Sequence, residues 1–76
     1  MTLKDLAAEL AKMYNSVPRG DKTTMIHLFA IKYAHQLDEL KEFNIKDLLE
    51  AADMPTSYVT EINKGRRLSK YVEPKP

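Results

Sequence analysis

Apolar residues recur along this chain at intervals of three and four, the spacing of helices that each hide one face. Leu3, Leu6, Leu10, Met13 and Tyr14 form a first stripe, predicting a helix over residues 2–14. Thr2 with Asp5 three residues later has the arrangement of a capping box at its start. The stretch "NSVPRGD" ends it, because Pro18 and Gly20 are poor interior helix residues and Asp21 suits the cap of the next helix. That second helix, residues 22–40, is apolar over most of its circumference. Met25, Ile26, Leu28, Phe29, Ile31, Tyr33, Ala34 and Leu37 all lie on it, and between Thr23 and Leu37 only Lys32 carries a formal charge. Such a helix is covered on more than one side, as the central member of a bundle or as an oligomer interface.

Two shorter helices follow. Asn44 with Asp47 three residues on predicts a capped start, and Ile45, Leu48, Leu49 and Ala52 then fall at i, i+3, i+4 and i+7, giving a helix over residues 45–52. After "DMP", Thr56 or Ser57 is the expected cap of a fourth helix over residues 57–63, with Tyr58, Val59 and Ile62 as its apolar positions. Gly65 is placed to end that helix in the left-handed conformation. No stretch alternates at the period of a strand. The expectation is an all-α fold, one small four-helix domain over residues 1–76 with a C-terminal helix-turn-helix at 44–67 and a loose basic tail at 68–76. Its expected core is Leu6, Leu10, Ile26, Phe29, Tyr33, Leu37, Leu48, Leu49, Val59 and Ile62.

Charge sharpens the picture of the C-terminal end. The net charge of the 76 residues is only +1, yet from residue 64 onward Lys64, Arg66, Arg67, Lys70 and Lys75 oppose Glu73 alone. The first 63 residues are therefore net acidic, and the basic end suits an anionic partner as well as it suits a solvated tail. Length argues against catalysis. A chain of this size buries only roughly 60% of the surface its unfolded form exposes, leaving little room for a deep substrate pocket. No nucleophile has a base at local spacing, and the two glycines cannot make a phosphate loop. The chain reads as a non-enzyme without a cofactor. Cysteine is absent, and His27 and His35, eight residues apart on one helix, lie about 12 Å from each other at about 1.5 Å rise per residue. They cannot share a metal, so both are expected on polar faces or in hydrogen bonds. Residues 1–20 lack the apolar run of a signal peptide or membrane span, which places the expected protein in the cytoplasm, away from membranes.

The stretch "IKDLLEAADMPTSYVTEINKGRR" resembles the helix-turn-helix of the Cro and phage-repressor family of DNA-binding proteins. The likeness rests on Leu48 and Leu49 in the first helix, Met54 in the turn, Val59 and Ile62 in the second helix, and Gly65 followed by a basic residue. Asp53 stands where that family commonly has the glycine of the turn, and Asp tolerates the left-handed conformation better than most residues. The alternative kinship is with small bacterial proteins that are HTH-like, whose partners the motif does not name.

The resemblance implies a small transcriptional regulator that binds double-stranded DNA with its helix at residues 56–64 in the major groove. It implies that Thr56, Ser57, Thr60 and Glu61 face base edges, with Glu61 able to accept from a cytosine amino group. It likewise implies phosphate contacts for Lys64, Arg66, Arg67 and Lys70, and backbone donors at the helix start by Asn44 for a further phosphate. A homodimer or a larger assembly would supply the remaining specificity. The competing class is a protein-interaction module or accessory subunit, docking through helix two or the "RRLSKYV" segment. Within that segment Leu68, Tyr71 and Val72 are expected to pack back on the bundle.

Overall fold

The computed structural model describes residues 1–40 and 42–74, with the backbone alone for Glu42 and Phe43. Lys75, part of the basic C-terminal charge, lies outside the described residues. The described residues form α-helices and single 3-10 turns, with no strand among them: α1 Leu3–Asn15, α2 Lys22–Lys32, α3 Ala34–Asp38, α4 Glu42–Ala51 and α5 Val59–Leu68. The all-α expectation holds, with five helices in place of four.

The start of α1 is set by local chemistry. The Asp5 amide donates to Thr2 Oγ1 at 3.1 Å, and the Thr2 amide donates to Asp5 Oδ2 at 3.0 Å, so the capping box is complete. Those bonds hold the Asp5 carboxyl below its ordinary range, chiefly through the Thr2 backbone donor. Leu6, Ala7 and Leu10 then face inward.

The long second helix is interrupted. Tyr33, at φ −109° and ψ 25°, separates α2 from α3 although neither proline nor glycine marks the place. Beyond the bend Leu37 is fully buried and Asp38 meets Arg66 of α5. Tertiary contact overrides the continuity that the sequence pattern favours. Asp21 occupies the position before α2 without making a side-chain cap bond. The apolar circumference of α2 finds its explanation in its neighbours, since α1 and α5 both pack on it.

Helix α4 starts three residues before the expected place, so Asn44 is not its cap and sits, half-buried, as its third residue. Its end is a Schellman motif: the Met54 amide donates to the Leu49 carbonyl at 2.9 Å and the Asp53 amide to the Glu50 carbonyl at 3.0 Å. Asp53 carries the left-handed backbone at φ 57°, the conformation expected of the turn residue. Met54 folds inward at 7% exposure, closing the turn over the core. Ile45, Leu48 and Leu49 are fully buried, as the i, i+3, i+4 stripe requires. Of the expected core only Tyr33 and Val59 differ, being half-buried at its edge, while Ala7, Ala30, Ile45, Ala52 and Met54 join it.

Candidate nucleic-acid interface

Pro55 leads the chain out of the turn and into a 3-10 turn, Thr56–Tyr58, that runs directly into α5. Neither Thr56 nor Ser57 makes a side-chain cap bond, contrary to the expected cap. The start of α5 is held instead by Tyr58. Its hydroxyl lies 3.2 Å from that of Tyr14, and the two rings are tilted at a centroid separation of 5.9 Å. Lys22 completes this corner, donating from Nζ to the Tyr14 carbonyl at 2.8 Å with its ammonium 4.4 Å from the ring centre.

Gly65 corrects the sequence reading most sharply. It does not stop the helix, which continues to Leu68, and its φ is not positive. It is buried at the crossing of α5 over α2, where a Cβ would lie 2.7 Å from the His27 carbonyl oxygen and collide with the Ala30 methyl. Only a residue without a side chain lets the two backbones come this close.

That close approach also decides the fate of Glu61. It was expected to face base edges. Its side chain is only 20% exposed, hydrogen-bonded to Nε2 of His27 on α2 and 3.3 Å from Lys64 Nζ. The His27 hydrogen bond, helped by Lys64 and opposed by desolvation, holds the Glu61 carboxyl below its ordinary range. Glu61 therefore joins α5 to α2 and is withdrawn from the outer surface. His27 is hydrogen-bonded, as expected of it.

The outward face of α5 and the turn before it carries Ser57, Thr60, Lys64 and Arg67, all exposed and spaced three or four residues apart on one stripe. Thr56 is exposed beside Ser57, and Lys70 is exposed beyond Arg67. Arg66 lies on the flank and is not free: its Nε and Nη2 donate to Asp38 Oδ1 at 3.1 and 2.8 Å, and its Nη1 donates to Asn63 Oδ1 at 3.0 Å. Asn44 lies on α4 rather than on this stripe. Of the nine residues singled out from sequence, the structure thus brings Thr56, Ser57, Thr60, Lys64, Arg67 and Lys70 to one outer surface. Glu61 and Arg66 are engaged by other helices.

Local backbone hydrogen bonds continue past the end of α5. The Lys70 amide donates to the Arg67 carbonyl, and the Tyr71 and Val72 amides donate to that of Leu68. Leu68, Tyr71 and Val72 do not pack back on the bundle: they are 42%, 83% and 45% exposed. Sequence spacing alone gave no sign of Tyr14–Tyr58, His27–Glu61 or Asp38–Arg66, whose members stand 28 to 44 residues apart. Among the described residues no helix is long and apolar enough to cross a membrane.

The sequence model of the HTH-like domain matches residues 2–75, and the chain belongs to that family. No curated protein and no solved structure matches it.

Proposed function

We propose that this HTH-like domain is a sequence-specific DNA-binding module of a small transcriptional regulator, with the Thr56–Tyr58 turn and α5 set into the major groove. The observation that carries the reading is the outward stripe Ser57, Thr60, Lys64 and Arg67, whose helix is fastened to the core on its other face at Gly65 and Glu61. The likeness of residues 45–67 to the Cro and phage-repressor motif supports the same use. In this reading Ser57, Thr60 and Thr56 meet base edges near the start of the helix, while Lys64, Arg67 and Lys70 take phosphates. Asn44, in the first turn of α4, offers a backbone amide to a flanking phosphate. Glu61 acts indirectly, holding the reading helix at its angle on α2.

One helix reads only a few base pairs, so two copies on a two-fold site would raise specificity, with half-sites about 34–36 Å apart. The exposed Leu68, Tyr71 and Val72 favour a second reading, a module that docks on another protein. Titrating the chain with mixed-sequence duplex at several salt concentrations separates the two. DNA binding requires affinity that falls steeply with salt, and Lys64→Ala and Arg67→Ala should each lower the slope of log affinity against log salt by about 0.9. Absence of binding at the lowest salt defeats this reading and favours protein docking.

A further inference from the structure

The far end of α5 forms an open cleft against α3, about 400 Å³ in volume and lined by Asp38, Asn63, Arg66, Arg67, Ser69 and Lys70. Three cations face one carboxylate there. The arrangement of Arg66 is the distinctive feature. A guanidinium carries five N–H donors in a rigid plane. Three are committed, two to Asp38 Oδ1 and one to Asn63 Oδ1. The plane is therefore fixed, with two donors left over. Arg67 and Lys70, by contrast, have side chains with no ion-pair or hydrogen-bond partner among the described residues. Ser69, whose hydroxyl donates to the Arg66 carbonyl, braces the backbone between them.

A pre-oriented guanidinium with one N–H left on each Nη, flanked by two cations that have no partner among the described residues, is the chemistry that recognises a phosphate group, because the held donors meet its oxygens while the neighbouring charges offset the rest. We infer that this cleft is a phosphate-binding seat that adjoins the outward stripe at Arg67 and is built by the Asp38–Arg66–Asn63 clamp. Asp38 serves as a positioning residue: it costs one unit of charge and in return spares Arg66 the loss of side-chain freedom on binding. The inference rests on the proposed DNA reading only for the source of the phosphate, which is either the duplex backbone running past the end of α5 or a free phosphorylated ligand.

The test uses the full chain, titrated with inorganic phosphate and with pyrophosphate at ionic strength held constant by chloride. Nuclear magnetic resonance follows the Asn63 side-chain amide, the Arg66 Nε–H, and the Ser69 and Lys70 backbone amides. Saturable shifts confined to these groups are expected. Arg66→Lys keeps the charge but loses the guanidinium, and it should weaken binding about tenfold, as should Lys70→Ala. Lys70 is exposed, so its variant keeps the test decisive if Arg66 variants fail to fold. Shifts that chloride reproduces, or an Arg66→Lys affinity equal to that of the unaltered chain, overturn the seat. Duplex then distinguishes the sources: competition with pyrophosphate assigns the seat to backbone phosphate, and simultaneous binding assigns it to a free ligand. Pyrophosphate binding without duplex binding would sink the DNA reading and leave the seat standing.

Discussion

Asp53 and Gly65 lie twelve residues apart and exchange the roles that their side chains would suggest. The left-handed corner of the turn, at φ 57°, is filled by an aspartate, whereas the glycine sits with negative φ inside a helix. At the turn the constraint is conformational, and two backbone hydrogen bonds with a buried Met54 hold it despite the strain of a Cβ. At the crossing the constraint is volume, because any Cβ would enter the His27 backbone. Glycine stands where space is short. Left-handed backbone, which glycine merely makes easier, is met by packing. Together the two positions set α5 at its angle and leave one face of it to the outside.

The largest effect should follow from filling the crossing. Gly65→Ala would gain about 1 kcal/mol of helix propensity, yet overpacking against Ala30 and the His27 carbonyl should leave a net loss of about 1 to 3 kcal/mol in urea denaturation. A stabilised variant would mean that the helices do not meet this closely. Asp53→Gly sharpens the contrast with the opposite sign. Relief of the left-handed strain should exceed the added freedom of the unfolded chain, raising stability by about 0.5 to 1 kcal/mol.

Next in size come the helix starts. Thr2→Ala removes a complete capping box and should cost about 1 kcal/mol, while Thr56→Ala and Ser57→Ala, which break no cap bond, should stay within about 0.5 kcal/mol. Thermal melts of the three variants would separate these cases. If Ser57→Ala cost as much as Thr2→Ala, the uncapped start of α5 would be wrong.

Acid should produce the gentlest change. Asp5 and Glu61 both have depressed carboxyl pKa values, from the Thr2 donors and from His27 with Lys64 respectively. Each stabilises the fold when ionised, so its contribution is present above the ordinary carboxylate range and is lost as pH falls through the depressed value. Urea midpoints measured from about pH 7 to pH 2 should decline below that range. Asp5→Asn and Glu61→Gln should each flatten the decline, and unchanged slopes in both would remove these pairs as the cause.

The apolar stripes, the start of α1 and the corner after α4 were legible in the sequence, because one turn of chain contains their partners, whereas the expected caps at Asp21, Asn44 and Thr56 or Ser57 did not form. Thr2 and Asp5 are three residues apart, Ile45 to Leu49 lie on one face, and Asp53 carries the turn where the motif needs a left-handed residue. What escaped depends on distant partners. Gly65 looks like a helix stop until Ala30 and His27 are brought beside it, and Glu61 looks like a reading group until His27 claims it. Tyr33 breaks the second helix for contacts that Leu37 and Asp38 make with other elements, and no residue near it announces the break. Leu68, Tyr71 and Val72 had apolar character that suggested burial, but all three stay exposed beyond the end of the buried stripe that Ile62 and Gly65 carry on α5.

Mapping a mixed-sequence DNA duplex onto the amide signals of the chain at low salt tests most directly whether α5 presents a reading face. The helix α1 is an internal control, because Lys4, Ala8 and Lys12 are also exposed on an amphipathic helix but lie outside the helix-turn-helix. Shifts should concentrate at Ser57, Thr60, Lys64 and Arg67, leave Lys4, Ala8 and Lys12 near their free positions, and shrink in Arg67→Ala. Shifts of equal size on α1 and α5, or none on α5, would contradict the assignment of this helix to DNA.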